Sequence, residues 1–138
     1  MGTASGVVLT SADGTNWTLR ETAATNPIFD VIYSNSIFVA VGYDGVIRTS
    51  SDGISWTSRV GIDTYGIWGG AYGNSKFVVA STYGYIFTSS DGTSWNNVMS
   101  RSANTLNDVA YGNSQFAAVG VNGTIQTSSD GTSWTLKN

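Results

Sequence analysis

The chain has 138 residues, one domain by length, with 11% charged and 12% aromatic residues and a net charge of −3. Six Lys and Arg in total cannot build the basic patch that a nucleic-acid surface needs. The absence of cysteine and histidine removes disulfides, thiol chemistry and imidazole bases or metal ligands, and no apolar run approaches the length of a membrane span.

In chain order, residues 1–5 read as a short leader without the basic and apolar regions of a signal peptide, so a soluble chain is expected. Two short runs follow, Val7 to Thr10 and Trp17 to Arg20, and residues 21–26 read as a connection. Pro27 stands just before the next apolar run, where a missing N–H does least harm. From there the runs come in fours. In 66–104 they are Ile67 to Tyr72, Phe77 to Ala80, Tyr85 to Thr88 and Trp95 to Val98. Between them lie Gly73-Asn74-Ser75, Thr82-Tyr83-Gly84 and Ser90-Asp91-Gly92. These are turn residues between strand-length runs.

One heptapeptide organises the whole pattern. Ser50-Ser51-Asp52-Gly53-Ile54-Ser55-Trp56 has three further copies, centred on Asp13-Gly14 with Trp17, Asp91-Gly92 with Trp95, and Asp130-Gly131 with Trp134. The aspartates step by 39 residues each time (52−13, 91−52, 130−91), with no insertion. A fixed period of this size means one supersecondary unit stacked on copies of itself. Four strands in about 40 residues is a β-propeller blade. The fold class expected is therefore all-β, with four-stranded antiparallel blades and about three and a half repeats per chain. The heptapeptide is the turn from third to fourth strand. Its Asp accepts backbone N–H bonds, its Gly supplies positive φ, and its Trp covers the layer between blades. Asp13, Gly14, Trp17, Asp52, Gly53, Trp56, Asp91, Gly92, Trp95, Asp130, Gly131 and Trp134 are accordingly structural residues.

The heptapeptide resembles the Asp-box (BNR) motif of sialidases, sortilin-type receptors and photosystem-assembly propellers, with Gly directly after Asp, one residue tighter than the common form. The stretch from Phe116 to Trp134 resembles repeats of bacterial and phage-tail-associated propellers. This resemblance implies the fold across almost the whole chain and leaves function open, since propellers carry many activities.

Alignment of the runs gives a half blade at 6–20, holding only a third and a fourth strand, and blades at 27–65, 66–104 and 105–138. A closed ring needs roughly four to eight blades, and open sheet faces are wet and apolar. Self-association is expected, a head-to-tail dimer first. A fragment of something longer and a higher assembly remain alternatives. Two chains supply eight outer hairpins but six inner ones, so seven equal blades do not follow. The insertion-free period fits recent duplication and deliberate design equally.

No catalytic set is legible. Arg20 and Arg59 share a column at the blade edge, Arg48 and Arg101 lie elsewhere, and the only glutamate is Glu21 in the connection. A sialidase needs an arginine cluster, a tyrosine nucleophile and carboxylates around one pocket. A non-enzymatic chain without cofactor or metal is expected. Asp30 and Asp108, in one first-strand column, are the only carboxylates that could approach a cation near the axis.

The repeats disagree at one place. Trp68 stands where other copies have Phe29 and Asn107, Tyr83 where they have Asp44 and Asn122, Tyr85 where they have Val46 and Thr124, and Tyr65 where they have Asn26 and Asn104. Tyr65, Trp68, Tyr83 and Tyr85 are the candidate ligand-binding residues. The partner classes are a glycan, whose rings stack on aromatics, or a surface protein. Packing and self-contact are the alternative use of the same rings.

Overall fold

A computed structural model of the chain describes residues 6–59, 62 and 65–137. The leader read at 1–5 lies outside the described residues, as do Val60, Gly61, Asp63, Thr64 and Asn138. The opening hairpin is β1 (Gly6–Thr10) with β2 (Thr18–Ala24). The first full sheet holds β3 (Ile28–Ser34), β4 (Ile37–Gly42), β5 (Ile47–Ser50) and β6 (Thr57–Ser58). The second holds β7 (Ile67–Gly73), β8 (Lys76–Ser81), β9 (Ile86–Ser89) and β10 (Asn96–Val98). The third holds β11 (Leu106–Gly112), β12 (Gln115–Gly120), β13 (Ile125–Ser128) and β14 (Thr135–Lys137). Each full sheet is a sequential four-stranded meander, and the opening hairpin stays two-stranded. Every ladder is antiparallel. No helix among the described residues is long and apolar enough to cross a membrane.

The turns explain why the strands meet in this register. Asn35-Ser36, Asn74-Ser75 and Asn113-Ser114 all have positive φ at both positions. These are two-residue hairpin turns whose twist matches that of the strands. Between second and third strands, Asp44, Tyr83 and Asn122 each sit in the left-handed region, followed by Gly45, Gly84 and Gly123. Asp and Asn tolerate that region; tyrosine does so only at a cost. Each first strand also carries a bulge, at Phe29, Trp68 and Asn107, where the register shifts against the second strand.

The core lies between the sheets. Ile32, Val39, Val41 and Ile47 of the first sheet meet Ile67, Phe77, Val79 and Phe87 of the second. Val78, Ala80 and Ile86 of the second meet Leu106, Val109, Phe116, Ala118 and Trp134 of the third. Alternation along each strand thus splits a blade into a forward face and a back face, both apolar. Within each full blade, Tyr, Phe and Trp pack in series: Tyr72–Phe77 at 4.7 Å and Phe77–Trp95 at 6.5 Å between ring centres in the second, Tyr111–Phe116 and Phe116–Trp134 at 4.6 and 6.5 Å in the third.

The opening hairpin differs from the sequence reading. Residues 21–26 were expected to be a connection, yet β2 continues to Ala24. A bulge between Gly6 and Val7 lets Gly6 pair with Ala24, and Ala23 takes positive φ to allow it. The Thr22 hydroxyl, fully buried, donates to the Gly6 carbonyl. Glu21 is therefore a strand residue opposite Val7. The extension has a use: the Arg48 guanidinium donates from the first full blade to the carbonyls of Thr22 and Ala23, at 3.2 and 3.3 Å.

The two ends of the stack are uncovered. On the third blade Val119 and Ile125 are 43% and 45% exposed, whereas Val41, Ala80, Ile47 and Ile86 in the same columns are fully buried. At the other end Val7, Leu9, Trp17 and Leu19 are exposed on the hairpin, and Val31 and Tyr33 on the first full blade beside it.

Candidate functional site

The heptapeptide carboxylates are held by their own turns. In each copy the hydroxyl of the preceding serine donates to the Asp Oδ1 and accepts the N–H of the glycine. Asp52 Oδ1 also accepts the N–H groups of Ile54 and Ser55, both at 2.8 Å. Those donors, the Ser55 N–H foremost and then that of Ile54, lower the Asp52 carboxyl from 3.8 to about 2. Asp13, Asp91 and Asp130 are lowered in the same direction, chiefly by the backbone N–H groups of Asn16, Ser94 and Ser133. The indoles of Trp56, Trp95 and Trp134 donate to the carbonyls of Gly53, Gly92 and Gly131. This chemistry locks each turn through Oδ1 of its carboxylate.

The axial carboxylates serve packing as well. Asp30 Oδ1 accepts the Val31 N–H at 2.8 Å, and its Oδ2 reaches across to the Gly70 N–H of the next blade at 3.0 Å. Asp108 Oδ1 accepts the Val109 N–H and lies against Gly69, where a Cβ would meet it at 2.5 Å. Gly69 is what lets the two sheets approach there. Among the described residues no three of His, Cys, Asp and Glu gather to hold a metal ion. The arginines also serve separate contacts. Arg20 and Arg59 donate to Thr10 and Thr49 of their own sheets, and Arg101 to the Trp134 carbonyl.

The aromatic residues form one exposed patch with two flanks. The first-strand bulges turn Phe29 and Trp68 outward, and the rings stack with centres 4.8 Å apart and planes 2° from parallel. The Trp68 indole donates to the Thr82 hydroxyl at 3.0 Å, which ties this pair to the turn that carries Tyr83. On the other flank Tyr65 meets Tyr83 edge-on at 5.0 Å and stacks on Tyr85 at 6.0 Å. Tyr83 has φ of 57°, a strained conformation for a bulky residue, and is 59% exposed. Beyond it opens a groove of about 540 Å³ lined by Tyr83, Tyr85, Met99, Arg101 and Ala103. The structure thus brings Tyr83 and Tyr85 against Tyr65 and stacks Trp68 on Phe29, with Thr82 as the link between the two groups. Phe29, Met99 and Arg101 were not among the sequence candidates. Phe29 was visible as the one aromatic sharing Trp68's column; Met99 and Arg101 gave no periodic signal.

No known protein family matches the sequence, and no curated protein does either. Solved structures do match. The chain is similar to YCF48 bound to D1 peptide, with TM-score 0.76 at 16% identity over 94% of this chain and 45% of that one. It is similar to YCF48 from Cyanidioschyzon merolae, with TM-score 0.69 at 17% identity over 95% and 49%. It is similar to the computationally designed Ika8 protein, with TM-score 0.67 at 13% identity over 96% and 45%. The chain spans about half the length of these structures. Together with the sheets described above, they establish the fold: a β-propeller of four-stranded antiparallel blades, about three and a half repeats long.

Proposed function

We propose that this chain is a non-enzymatic interaction propeller that completes its ring by associating with further copies and presents its aromatic patch to a macromolecular partner. The observation that carries this reading is the uncovered apolar face of the third blade, where Val119 and Ile125 are exposed while their column equivalents Val41, Ala80, Ile47 and Ile86 are fully buried under a neighbouring blade; the opening hairpin leaves a second apolar face uncovered. Leaving such patches wet favours association. The similar structures support it in length: this chain covers 45% to 49% of each, so two copies approach one whole. One of them is YCF48 bound to D1 peptide, which favours a protein partner for the patch as well. Among the described residues the turn carboxylates lie in separate turns and the arginines in separate contacts.

The test is particle mass by analytical ultracentrifugation. A particle of at least two 14.5 kDa chains is expected; a well-folded monomer at micromolar concentration overturns the assembly half.

A second reading, a lectin, is favoured by one observation: Tyr83 holds a strained backbone that Asp44 and Asn122 adopt at less cost, as a residue kept for its ring would. A glycan array with the wild type and Trp68→Ala decides. Signal lost with the indole supports sugar stacking, and no signal in either removes this reading.

A further inference from the structure

Each junction between two full blades seats the turn glycine of one blade against the second strand of the blade before it, and Gly53 of the first full blade lies against Thr10 of the hairpin, which has no such strand. A Cβ on Gly92 would lie 2.9 Å from Val39 Cγ2, and one on Gly131 would lie 3.0 Å from Val78 Cγ2. The next residue in the valine column is Ala117, on the uncovered face of the third blade. The heptapeptide glycine with nothing within 4 Å is Gly14, on the uncovered face of the opening hairpin. A second contact joins the second and third blades: Asn74 Nδ2 and Lys76 Nζ donate to the carbonyls of Ser129 and Asp130, at 3.3 and 3.0 Å, whereas Asn35 of the first blade donates to the Tyr72 hydroxyl instead. One period on, Asn113 and Gln115 are exposed donors, and the carbonyls in the matching columns belong to Ala12 and Asp13.

We propose that the third blade docks the opening hairpin of a second copy, with that copy's Gly14 against Ala117 and its Ala12–Asp13 turn over Asn113 and Gln115. This rests on the self-association reading above and specifies its register. Val119 and Ile125 then meet the second copy's Val7, Leu9 and Trp17. Leu9 occupies the column of Arg48, Phe87 and Gln126, whose side chains face the preceding blade. Gln126 Oε1 accepts the Arg101 N–H at 2.7 Å in that way. The contact is heterologous, so a ring closed by two copies makes it twice.

The chain has no cysteine of its own, and the gap between the two Cβ positions implied by the valine contacts suits a disulfide. Gly14→Cys/Ala117→Cys, oxidised mildly, is expected to give covalent pairs at twice the chain mass on a non-reducing gel. Each single variant alone gives none, and a mixture of the two singles does. Val78→Cys/Gly131→Cys, bonded within one chain, is the control. If the control closes and the particle exceeds one chain but no inter-chain bond forms, the register is overturned while association stands. A single-chain particle overturns both. A cysteine at Gly14 would be strained at its φ of 74°, so Ala117→Asp provides a second arm. It is expected to reduce the particle to single folded chains, and an unchanged mass overturns the proposal.

Discussion

The second and third full blades carry nearly the same columns and stand in different surroundings. Ile86 and Ala80 are sealed because the third blade lies over them, and Ile125 and Val119 are open because nothing does. The residue types hardly change; the neighbour does. Burial in a stacked-repeat protein is thus a property of the junction and cannot be assigned to a residue by its own pattern. The inner rim makes the same comparison in the opposite sense. In the third blade Asn104, Asn122 and Thr124 close on one another by hydrogen bonds at 2.8 and 3.4 Å. In the second blade the same three positions hold Tyr65, Tyr83 and Tyr85 on the same backbone. There the backbone is alike and the chemistry changes, which marks the aromatic trio as a departure from the scaffold.

The sharpest break of the first comparison is one substitution made twice. Ile86→Ala removes a fully buried side chain between two sheets and is expected to cost about 2–5 kcal/mol in denaturant unfolding. Ile125→Ala is expected to leave the single chain's unfolding nearly unchanged and to weaken assembly instead. Equal losses of unfolding stability at both sites, with no change in mass, would remove the distinction between junction and open face.

A smaller effect sharpens the second comparison. Tyr83→Asn places the third blade's residue on a backbone at φ 57° that suits it. The variant is expected to be more stable by about 1 kcal/mol while losing whatever partner the patch holds. A loss of stability in thermal melts would mean that the Tyr65–Tyr83 contact is worth more than the strain.

The mildest prediction concerns acid. The turn carboxyls titrate lower in the folded chain than the ordinary 3.8, Asp52 at about 2. Between those values the unfolded chain binds more protons. Stability from the turns is therefore complete above about pH 4 and declines as pH falls toward 2. Melts across that range should show the decline, and Asp130→Asn should reduce its slope. An unaltered slope would mean that other carboxylates set the acid limit.

Much of this was legible in the chain itself. The 39-residue step, the turn chemistry and the strand-length runs located each four-stranded sheet and the half sheet before them. The segment at 21–26 was misjudged because its strand character comes from pairing with Gly6 and from the arginine it caps, and neither is local. The aromatic candidates were legible as broken symmetry, since column comparison needs only the period. Their grouping was not: Trp68 reaches Phe29 because two bulges turn both rings outward.

By itself the sequence determined the repeat, the four runs of each full blade and the turn residues between them, because these follow from backbone preferences and side-chain order over a few residues. Only the tertiary structure decided which blade faces are covered, how closely Gly69, Gly92 and Gly131 let neighbouring sheets approach, and which rings meet. Those outcomes depend on distances between segments about 40 residues apart, and local pattern carries no information about such distances.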